Sequence, residues 1–344
     1  MEQNKIDIIS NDIACNEQLL KTKSFEKGCL IIKEANTWVE EAKNRPIPNM
    51  LFSEFWYENE VCILFSDTNL GKSILAVQIA DSISNGIAIA GFKLESKAQK
   101  VLYLDFELSD KQFENRCSED YQNHYHFSSN FLRAELNSEL EIPKGFNTLE
   151  EYLCSTLTNT VTETNATVLI VDNLTYLSHE NEKAKDALSL MKALKKLSKE
   201  KNVSILVLSH SPKRDESKAI NKNDLSGSKM LMNFCDSSFA IGVSSQDPSF
   251  RYIKQIKQRN TEHLYHSENV IVCSLDKDTN FLEFHFLEFD SEKNHLKIYG
   301  ASDLEQRDEQ MKLFISEGLS NVKIADRLSL TEGAIRKRRK SLDI

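Results

Sequence analysis

One short stretch of the sequence has the residue types and spacing of a phosphate-binding loop, or P-loop. An apolar run, Val61–Phe65, comes first and predicts a buried strand. Apolar residues after the loop recur at helical spacing and predict a helix. The loop consists of Ser66, Asp67, Thr68, Asn69, Leu70, Gly71, Lys72 and Ser73. Its backbone N–H groups and the positive end of the helix are suited to bind phosphates, Lys72 to reach the β and γ phosphates, and the Ser73 hydroxyl to ligate Mg²⁺.

The loop departs from the usual P-loop at its first position, where Ser66 replaces glycine. A side chain there makes any left-handed turn costlier by about 1 kcal/mol. The alternative interpretation is a chance Gly-Lys-Ser after an apolar strand. The strand before the loop and the helix after it favour a functional P-loop, because the motif requires that context.

Three polar residues follow other predicted strands. They are Glu107, Asp172 and His210, at the ends of strands predicted over 100–106, 167–172 and 203–208. In an open parallel sheet, ligands bind beyond the carboxyl ends of the strands. The sequence therefore predicts that these side chains and the P-loop form one site.

Each of the three residues has a role in phosphate chemistry and a plainer alternative. Asp172 suits a Mg²⁺ ligand, or else it merely ends its strand. Glu107 could orient or deprotonate the water that attacks the phosphate. Its alternative is a surface carboxylate before a helix that starts at Ser109. His210 suits a hydrogen bond to the γ-phosphate, whose loss it would signal to the following loop, or else it is structural.

Composition limits the classes of function. The chain has 344 residues, 40% hydrophobic and 28% charged, which is ordinary for a soluble globular protein. A net charge of −9 gives no general affinity for nucleic acid or anionic membranes, so such binding requires local patches. The seven cysteines form no CxxC pair and indicate reduced thiols. The polar start and the lack of a long apolar run predict a cytoplasmic protein.

The order of predicted elements indicates the fold class. Strands alternate with helices up to about residue 210, which predicts an α/β fold with a parallel sheet covered on both faces. From about Asp236 four strand-like segments leave no room for helices and predict antiparallel hairpins at the sheet edge. Residues 1–24 are polar, 30–42 suit an amphipathic helix, and 121–146 show no regular pattern.

The spacing of these motifs resembles the RecA-like P-loop ATPases, and within them the RepA-type hexameric replicative helicases of plasmids and mobile elements. The resemblance covers about residues 45–290. It rests on the loop 66–73 and on the segments 103–107, 169–173, 206–210 and 254–260. It implies a RecA-like fold, ATP hydrolysis with Mg²⁺ and a homo-oligomer of six copies.

The segment Lys254–Asn260 reads Lys-Gln-Ile-Lys-Gln-Arg-Asn and is the most specific part of the resemblance. In the related helicases such a segment places a lysine and an arginine in the neighbouring subunit's ATP site. The resemblance therefore implies that Lys257 and Arg259 act in trans on the transferring phosphoryl group. The alternative is a solvated basic edge strand.

The polar segment 212–229 follows His210 and is expected to be mobile. The resemblance implies that it faces a central channel and contacts single-stranded DNA through Lys213, Arg214 and Lys218. Acidic residues dilute its charge, and it contains no aromatic residue for base stacking. An ordinary surface loop remains the alternative.

Residues 303–344 predict three short helices after a linker at 299–302. The first ends near Gly318, and Ser329 begins a capping-box sequence before the third. The pattern resembles the helix-turn-helix of bacterial regulators, which implies duplex DNA binding by the last helix through Arg336, Lys337, Arg339 and Lys340. An oligomerisation or docking tail is the alternative.

The sequence thus predicts three domains: an amino-terminal segment and helix over 1–44, an ATPase domain over 45–298 and a helix-turn-helix module over 303–344. The leading hypothesis is a DNA-dependent ATPase of the RepA-like helicase type. The alternatives are an ATP-switched DNA-binding regulator similar to the KaiC-like ATPases, and a non-hydrolysing structural DNA-binding protein.

Overall fold

The chain is described from a computed structural model. It describes residues 24–137, 139, 141–146, 148–173, 183–225, 228–298, 301–328, 330 and 332–342. The polar segment before residue 24, the linker residues Tyr299 and Gly300 and the capping residue Ser329 lie outside the described residues. The chain divides into two units, 1–48 and 49–344, and the three-domain division stays a prediction.

The described part of the first unit, residues 24–48, is a hairpin followed by one helix. Strand β1 (Ser24–Lys27) pairs antiparallel with β2 (Leu30–Lys33), and Gly28 has the positive φ of 62° that their tight turn requires. Helix α1 spans Ala35–Lys43. The helix predicted over 30–42 is therefore wrong in its first turn, because the β-branched residues there extend into a strand.

The second unit is built on a nine-stranded sheet. Its strands, with two small hairpins, are β3 (Met50–Phe52), β4 (Trp56–Tyr57), β5 (Val61–Ser66), β6 (Val101–Asp105), β7 (Ser118–Glu119), β8 (Asn123–His124), β9 (Phe131–Ala134), β10 (Val168–Asp172), β11 (Ser204–His210), β12 (Ser237–Val243), β13 (Phe250–Lys257), β14 (Val270–Asp276) and β15 (Glu283–Asp290). The order in the large sheet is β15-β14-β13-β12-β5-β11-β10-β6-β9.

The sheet is parallel from β12 through β5 to β9 and antiparallel from β12 to β15. This confirms the predicted α/β fold with antiparallel strands at one edge. Strand β9 lies in the stretch that showed no pattern. Its four residues are only half-buried and include Arg133, so no apolar run marks it.

Helices cover both faces of the sheet. The described helices of this unit are α2 (Lys72–Asn85), α3 (Asp110–Arg116), α4 (Leu149–Thr164), α5 (Lys183–Lys201), α6 (Ser228–Phe234), α7 (Ala301–Ser316), α8 (Asn321–Arg327) and α9 (Glu332–Leu342). The last three pack around a core of their own. Alternate residues of β5 explain the layers. Ile63 packs with α4 and α5, whereas Leu64 packs with α2 on the other face. None of the described helices has the length and apolar character needed to span a membrane.

The segment after His210 is anchored, which differs from the mobile loop that its polarity predicts. Ile220 and Leu225 are buried. The ammonium of Lys254 donates to the carbonyl of Ile220 at 2.7 Å and to the carboxylate of Glu292 at 2.5 Å. Two apolar side chains and one buried ion pair therefore hold residues 212–225 against the antiparallel strands.

The three carboxyl-terminal helices α7, α8 and α9 have a small core of their own. Met311, Ile324, Ala325 and Ile335 are buried together. Gly318 has a φ of 75°, and its N–H and that of the next residue bond back to the end of α7, as the predicted glycine cap requires.

Candidate functional site

The P-loop joins the end of β5 to the start of α2. Gly71 precedes the first helical residue, Lys72, and has a left-handed φ of 93°. A Cβ at Gly71 would lie 2.9 Å from Cζ of Phe284 on β15. Both the backbone conformation and the close ring therefore require glycine at this position.

Ser66 carries no backbone penalty. It is the last residue of β5, pairs with His210 on β11, and is not among the residues with positive φ. The expected cost of about 1 kcal/mol for a left-handed serine does not arise, because the chain turns after this residue. Ser66 is thus compatible with a working loop.

Lys72 is buried at the centre of the loop, with 6% of its surface exposed. Its ammonium donates to the carbonyls of Ser66 (3.1 Å) and Asp67 (3.0 Å) and to the Ser66 hydroxyl (3.2 Å). Burial lowers the pKa of Lys72, and the charges of Asp172, Glu107 and Asp67 oppose that change. The lysine therefore lies among three carboxylates.

Asp172 lies at the end of β10 beside the start of α2 and is 1% exposed. Its carboxylate accepts hydrogen bonds from the hydroxyls of Tyr103 (2.6 Å) and Ser73. Burial raises its pKa to about 6, against the effect of these bonds. The serine hydroxyl and the carboxylate are hard oxygen donors, which fit Mg²⁺ beside bound phosphates.

Glu107, Asn173 and His210 form a connected group at the same edge. Asn173 Nδ2 donates to Glu107 Oε1 and lies 2.9 Å from His210 Nε2. His210 Nε2 lies 3.4 Å from Glu107, and its Nδ1 lies 3.1 Å from the Lys72 ammonium. The hydrogen bond with His210 is the main cause that lowers the pKa of Glu107. The histidine thus links the P-loop lysine to a carboxylate that stays ionised.

Four predicted elements therefore meet at one place, which we call the carboxyl edge. Sequence reasoning missed Tyr103 and Asn173 as site residues. The position of Asn173 directly after Asp172 was an available signal, whereas Tyr103 looks like any apolar residue of a buried strand. Asp105 also belongs to this edge, where its carboxylate accepts from Arg133 Nε at 3.0 Å.

Lys257 and Arg259 are not at the carboxyl edge of their own chain. Lys257 pairs with Ser238, and the preceding residue Ser237 pairs with Cys62 near the start of β5. The P-loop lies at the other end of that strand, roughly 17 Å away along five residues. We call this opposite side of the sheet the amino edge.

The cations at the amino edge are clustered. Asp236 accepts hydrogen bonds from Lys195 and, at 3.1 Å, from Arg259 Nη1. Lys257 donates to the backbone carbonyls of Met232 and, at 2.7 Å, Cys235. Burial lowers the pKa of Lys257, and the charges of Arg259 and Lys195 lower it further.

The residues predicted to contact single-stranded DNA belong to the anchored segment after His210. Lys213 contacts the carboxylate of Asp326 on α8 at 3.3 Å. Arg214 donates to the carbonyl of Lys218 at 2.8 Å, and Lys218 pairs with Asp215 at 3.1 Å. The side chains lie close together, and one of them contacts the carboxyl-terminal helices.

The four residues of α9 predicted to contact duplex DNA differ in exposure and in their partners. Lys337 and Lys340 are exposed. Arg336 pairs with Glu332 at 2.7 Å and is also exposed, whereas Arg339 donates to Asn321 on α8 at 2.7 Å. Arg339 therefore helps to join the two helices.

The carboxyl edge lies within the match to one known protein family. Residues 32–216 match the family model described as an AAA domain. Among solved structures, the KaiC-like protein PH0186 from the archaeon Pyrococcus horikoshii OT3 is similar at 13% identity and a TM-score of 0.45, over 67% of this chain and 91% of that chain. No match was found among curated proteins. Since the family match covers more than half of the chain and contains the P-loop, Glu107, Asp172 and His210, the protein belongs to the AAA domain family and carries a P-loop ATPase domain.

Proposed function

We propose that this protein is a DNA-dependent ATPase of the RepA-like replicative helicase type, belonging to a plasmid or mobile element. It works as a homo-oligomer, with six copies in a ring. Each ATP site lies between two copies. The P-loop of one copy binds the nucleotide, and Lys257 and Arg259 come from the next copy.

The observation that carries this proposal is a complementary charge imbalance. At the carboxyl edge, Lys72 lies among the carboxylates of Asp172, Glu107 and Asp67. At the amino edge, three cations (Lys195, Lys257 and Arg259) lie near the carboxylates of Asp236 and Glu60, and burial raises the pKa of Glu60. A triphosphate adds further negative charge to the first edge, so the surplus cations of a neighbouring copy suit it.

The proposed chemistry assigns a task to each side chain. Lys72 binds the β and γ phosphates, and His210 contacts the γ-phosphate and the group around Glu107. Ionised Glu107 orients the attacking water, and Arg259 of the next copy stabilises charge on the transferring phosphoryl group. Ser73 and Asp172 would hold Mg²⁺, which neutralises phosphate charge when bound.

The proposed DNA contacts lie on two surfaces. Lys213, Arg214 and Lys218 contact phosphates of single-stranded DNA in the channel of the ring, and α9 contacts duplex DNA through Arg336, Lys337 and Lys340. In a chain of net charge −9, local clusters of cations are the elements suited to phosphate. These contacts recruit the ATPase to its DNA.

A mixing experiment tests the shared site. Lys72→Ala removes nucleotide binding, and Arg259→Ala removes only the residue acting in trans, so each variant alone has lost its turnover. In a one-to-one mixture, about a quarter of the interfaces combine an intact P-loop with an intact arginine, so about a quarter of the turnover returns. Lys293→Ala, an exposed cation on the same unit, serves as the control that stays active.

A mixture no more active than its two components would contradict the shared site. Mass in solution with ATP and DNA measures the number of copies directly. A monomer that hydrolyses ATP at the full rate would exclude the proposal.

One observation favours the ATP-switched regulator as a second candidate. The segment after His210 is anchored by Lys254 and Glu292, and its Lys213 contacts Asp326 of the carboxyl-terminal helices. Such contacts suit a relay from the ATP site to a DNA-binding module. ATPase stimulation by single-stranded DNA together with strand displacement favours the helicase, whereas turnover indifferent to DNA favours the regulator.

A further inference from the structure

Both proposed trans residues are held at their charged ends by a set of acceptors that we call the clasp. The clasp consists of the carbonyls of Met232 and Cys235 and the carboxylate of Asp236. Lys257 Nζ donates to both carbonyls, with a distance of 2.7 Å to Cys235. Arg259 Nη1 donates to Asp236 Oδ1 at 3.1 Å. Neither side chain is left to rotate freely on the surface.

Asp236 connects the clasp to the sheet. Its Oδ2 accepts from the backbone N–H of Val61 at 3.0 Å and from Lys195. In turn, the N–H of Asp236 donates to the carbonyl of Val61 at 2.8 Å. Val61 is the first residue of β5, so the carboxylate that contacts Arg259 has a fixed position on the strand that ends at the P-loop.

The contact leaves most of Arg259 available. Its side chain is 53% exposed, whereas that of Asp236 is 13% exposed. A guanidinium has five N–H donors, and the contact with Asp236 uses one nitrogen. A long arginine side chain loses rotamer entropy when it is fixed, so an anchor that restricts it beforehand lowers the entropy lost when it meets a phosphate.

We infer that Asp236 is a positioning residue, which holds the Arg259 guanidinium in the orientation needed at the neighbouring copy's γ-phosphate. The inference rests on the proposed shared site and adds to it a residue that acts only through Arg259. Positioning matters because a displacement of about 1 Å at a reacting group can lower a rate by about a hundredfold.

The competing role for Asp236 is purely structural, as an acceptor for the N–H of Val61 and for the ammonium of Lys195. Asp236→Asn separates the two roles. The amide keeps an oxygen that can accept from Val61 and Lys195, but it removes the negative charge that attracts Arg259. Asp236→Glu keeps the charge and moves it by one methylene group, so it provides a second variant that retains the ion pair.

A double-mutant cycle tests the inference with the full-length oligomer. We would measure kcat, KM and Tm for wild type, Asp236→Asn, Asp236→Glu, Arg259→Ala and the two double variants. We expect Asp236→Asn to lower kcat by about tenfold to a hundredfold with KM nearly unchanged. We expect a smaller loss for Asp236→Glu, and no further loss from either change when Arg259 is alanine.

The outcomes separate this inference from the proposal beneath it. Full turnover by Asp236→Asn, or losses that multiply with that of Arg259→Ala, would overturn the positioning role while leaving the shared site intact. Full turnover by Arg259→Ala would instead refute the shared site. Asp278→Asn is the matched control, since that carboxylate is 71% exposed in the turn between β14 and β15.

Discussion

The carboxyl edge and the amino edge of the same sheet are organised differently. At the carboxyl edge, Lys72 and Asp172 are buried, and Asn173 and His210 join them to Glu107. At the amino edge, Arg259 is largely exposed, and it shares the carboxylate of Asp236 with Lys195. The first edge is an assembled site in one chain. The second edge has an exposed arginine beside other cations, and the proposed shared site would bring that arginine to the first edge of a neighbouring copy.

Removing the arginine at the amino edge should have the largest effect. We expect Arg259→Ala to lower kcat by about 10³–10⁵-fold, because an arginine acting in trans stabilises charge only in the transition state. ATP affinity, measured by titration calorimetry, should stay close to wild type. A parallel loss of affinity would mean that the amino edge acts on the ground state or on folding.

At the carboxyl edge, Glu107→Gln should lower kcat by about 10²–10⁴-fold, since the amide cannot accept a proton from water. The amide oxygen still accepts from Asn173, so we expect ATP affinity and Tm to change little. Steady-state and binding measurements on the same preparation check this. Unchanged turnover would show that Glu107 has no part in the hydrolysis of ATP at this edge.

The buried carboxylate of Asp172 predicts a pH dependence for the nucleotide-free protein. Burial raises the pKa of Asp172 in the folded state from 3.8 to about 6. Between pH 3.8 and about 6, the folded state therefore keeps a proton that the unfolded state has released. Its contribution to the free energy of unfolding is therefore full below pH 4 and is lost as pH rises through about 6. Relative to Asp172→Asn, wild type should lose about 1–3 kcal/mol between pH 4 and pH 7.

Chemical denaturation of both proteins at several pH values measures that difference. Only the comparison with Asp172→Asn isolates this group from the other carboxylates. A difference in the free energy of unfolding that stays constant across the pH range would mean that Asp172 titrates normally. The carboxyl edge would then be more hydrated than its burial indicates.

The smallest effect concerns the link from the carboxyl edge to the carboxyl-terminal helices. Lys213 and Asp326 are both exposed, so Lys213→Ala should change the free energy of unfolding by less than about 1 kcal/mol. Affinity for single-stranded DNA should fall and its salt dependence should weaken, because one phosphate contact is lost. Fluorescence anisotropy at two salt concentrations checks this, with exposed Lys111→Ala as the control.

Much of the carboxyl edge could be predicted because it follows from chain order. Strands β5, β6, β10 and β11 are apolar runs, and parallel strands bring the residues at their ends together. The roles of Tyr103 and Asn173 could not be predicted, since they depend on which side chains face one another across neighbouring strands. Strand β9 could not be predicted either, because an edge strand buries little surface and needs no apolar run.

The amino edge was less accessible to sequence reasoning. Lys257 and Arg259 were identified through a resemblance, and their use in trans stays a prediction. Their acceptors could not be foreseen, because the carbonyls of Met232 and Cys235 belong to the backbone and carry no sequence signal. Asp236 looked like an ordinary residue before a strand.

The contact between Gly71 and Phe284 has a practical consequence for anyone who dissects this chain. The family match ends at residue 216, yet the ring of Phe284 lies against the P-loop glycine. The side-chain amide of Gln78 on α2 also donates to the carbonyl of Phe284 and accepts from its N–H. A fragment trimmed to the matched boundaries would lose one wall of its nucleotide cradle and expose the flank of α2. The smallest fragment expected to keep an intact P-loop therefore extends through β15.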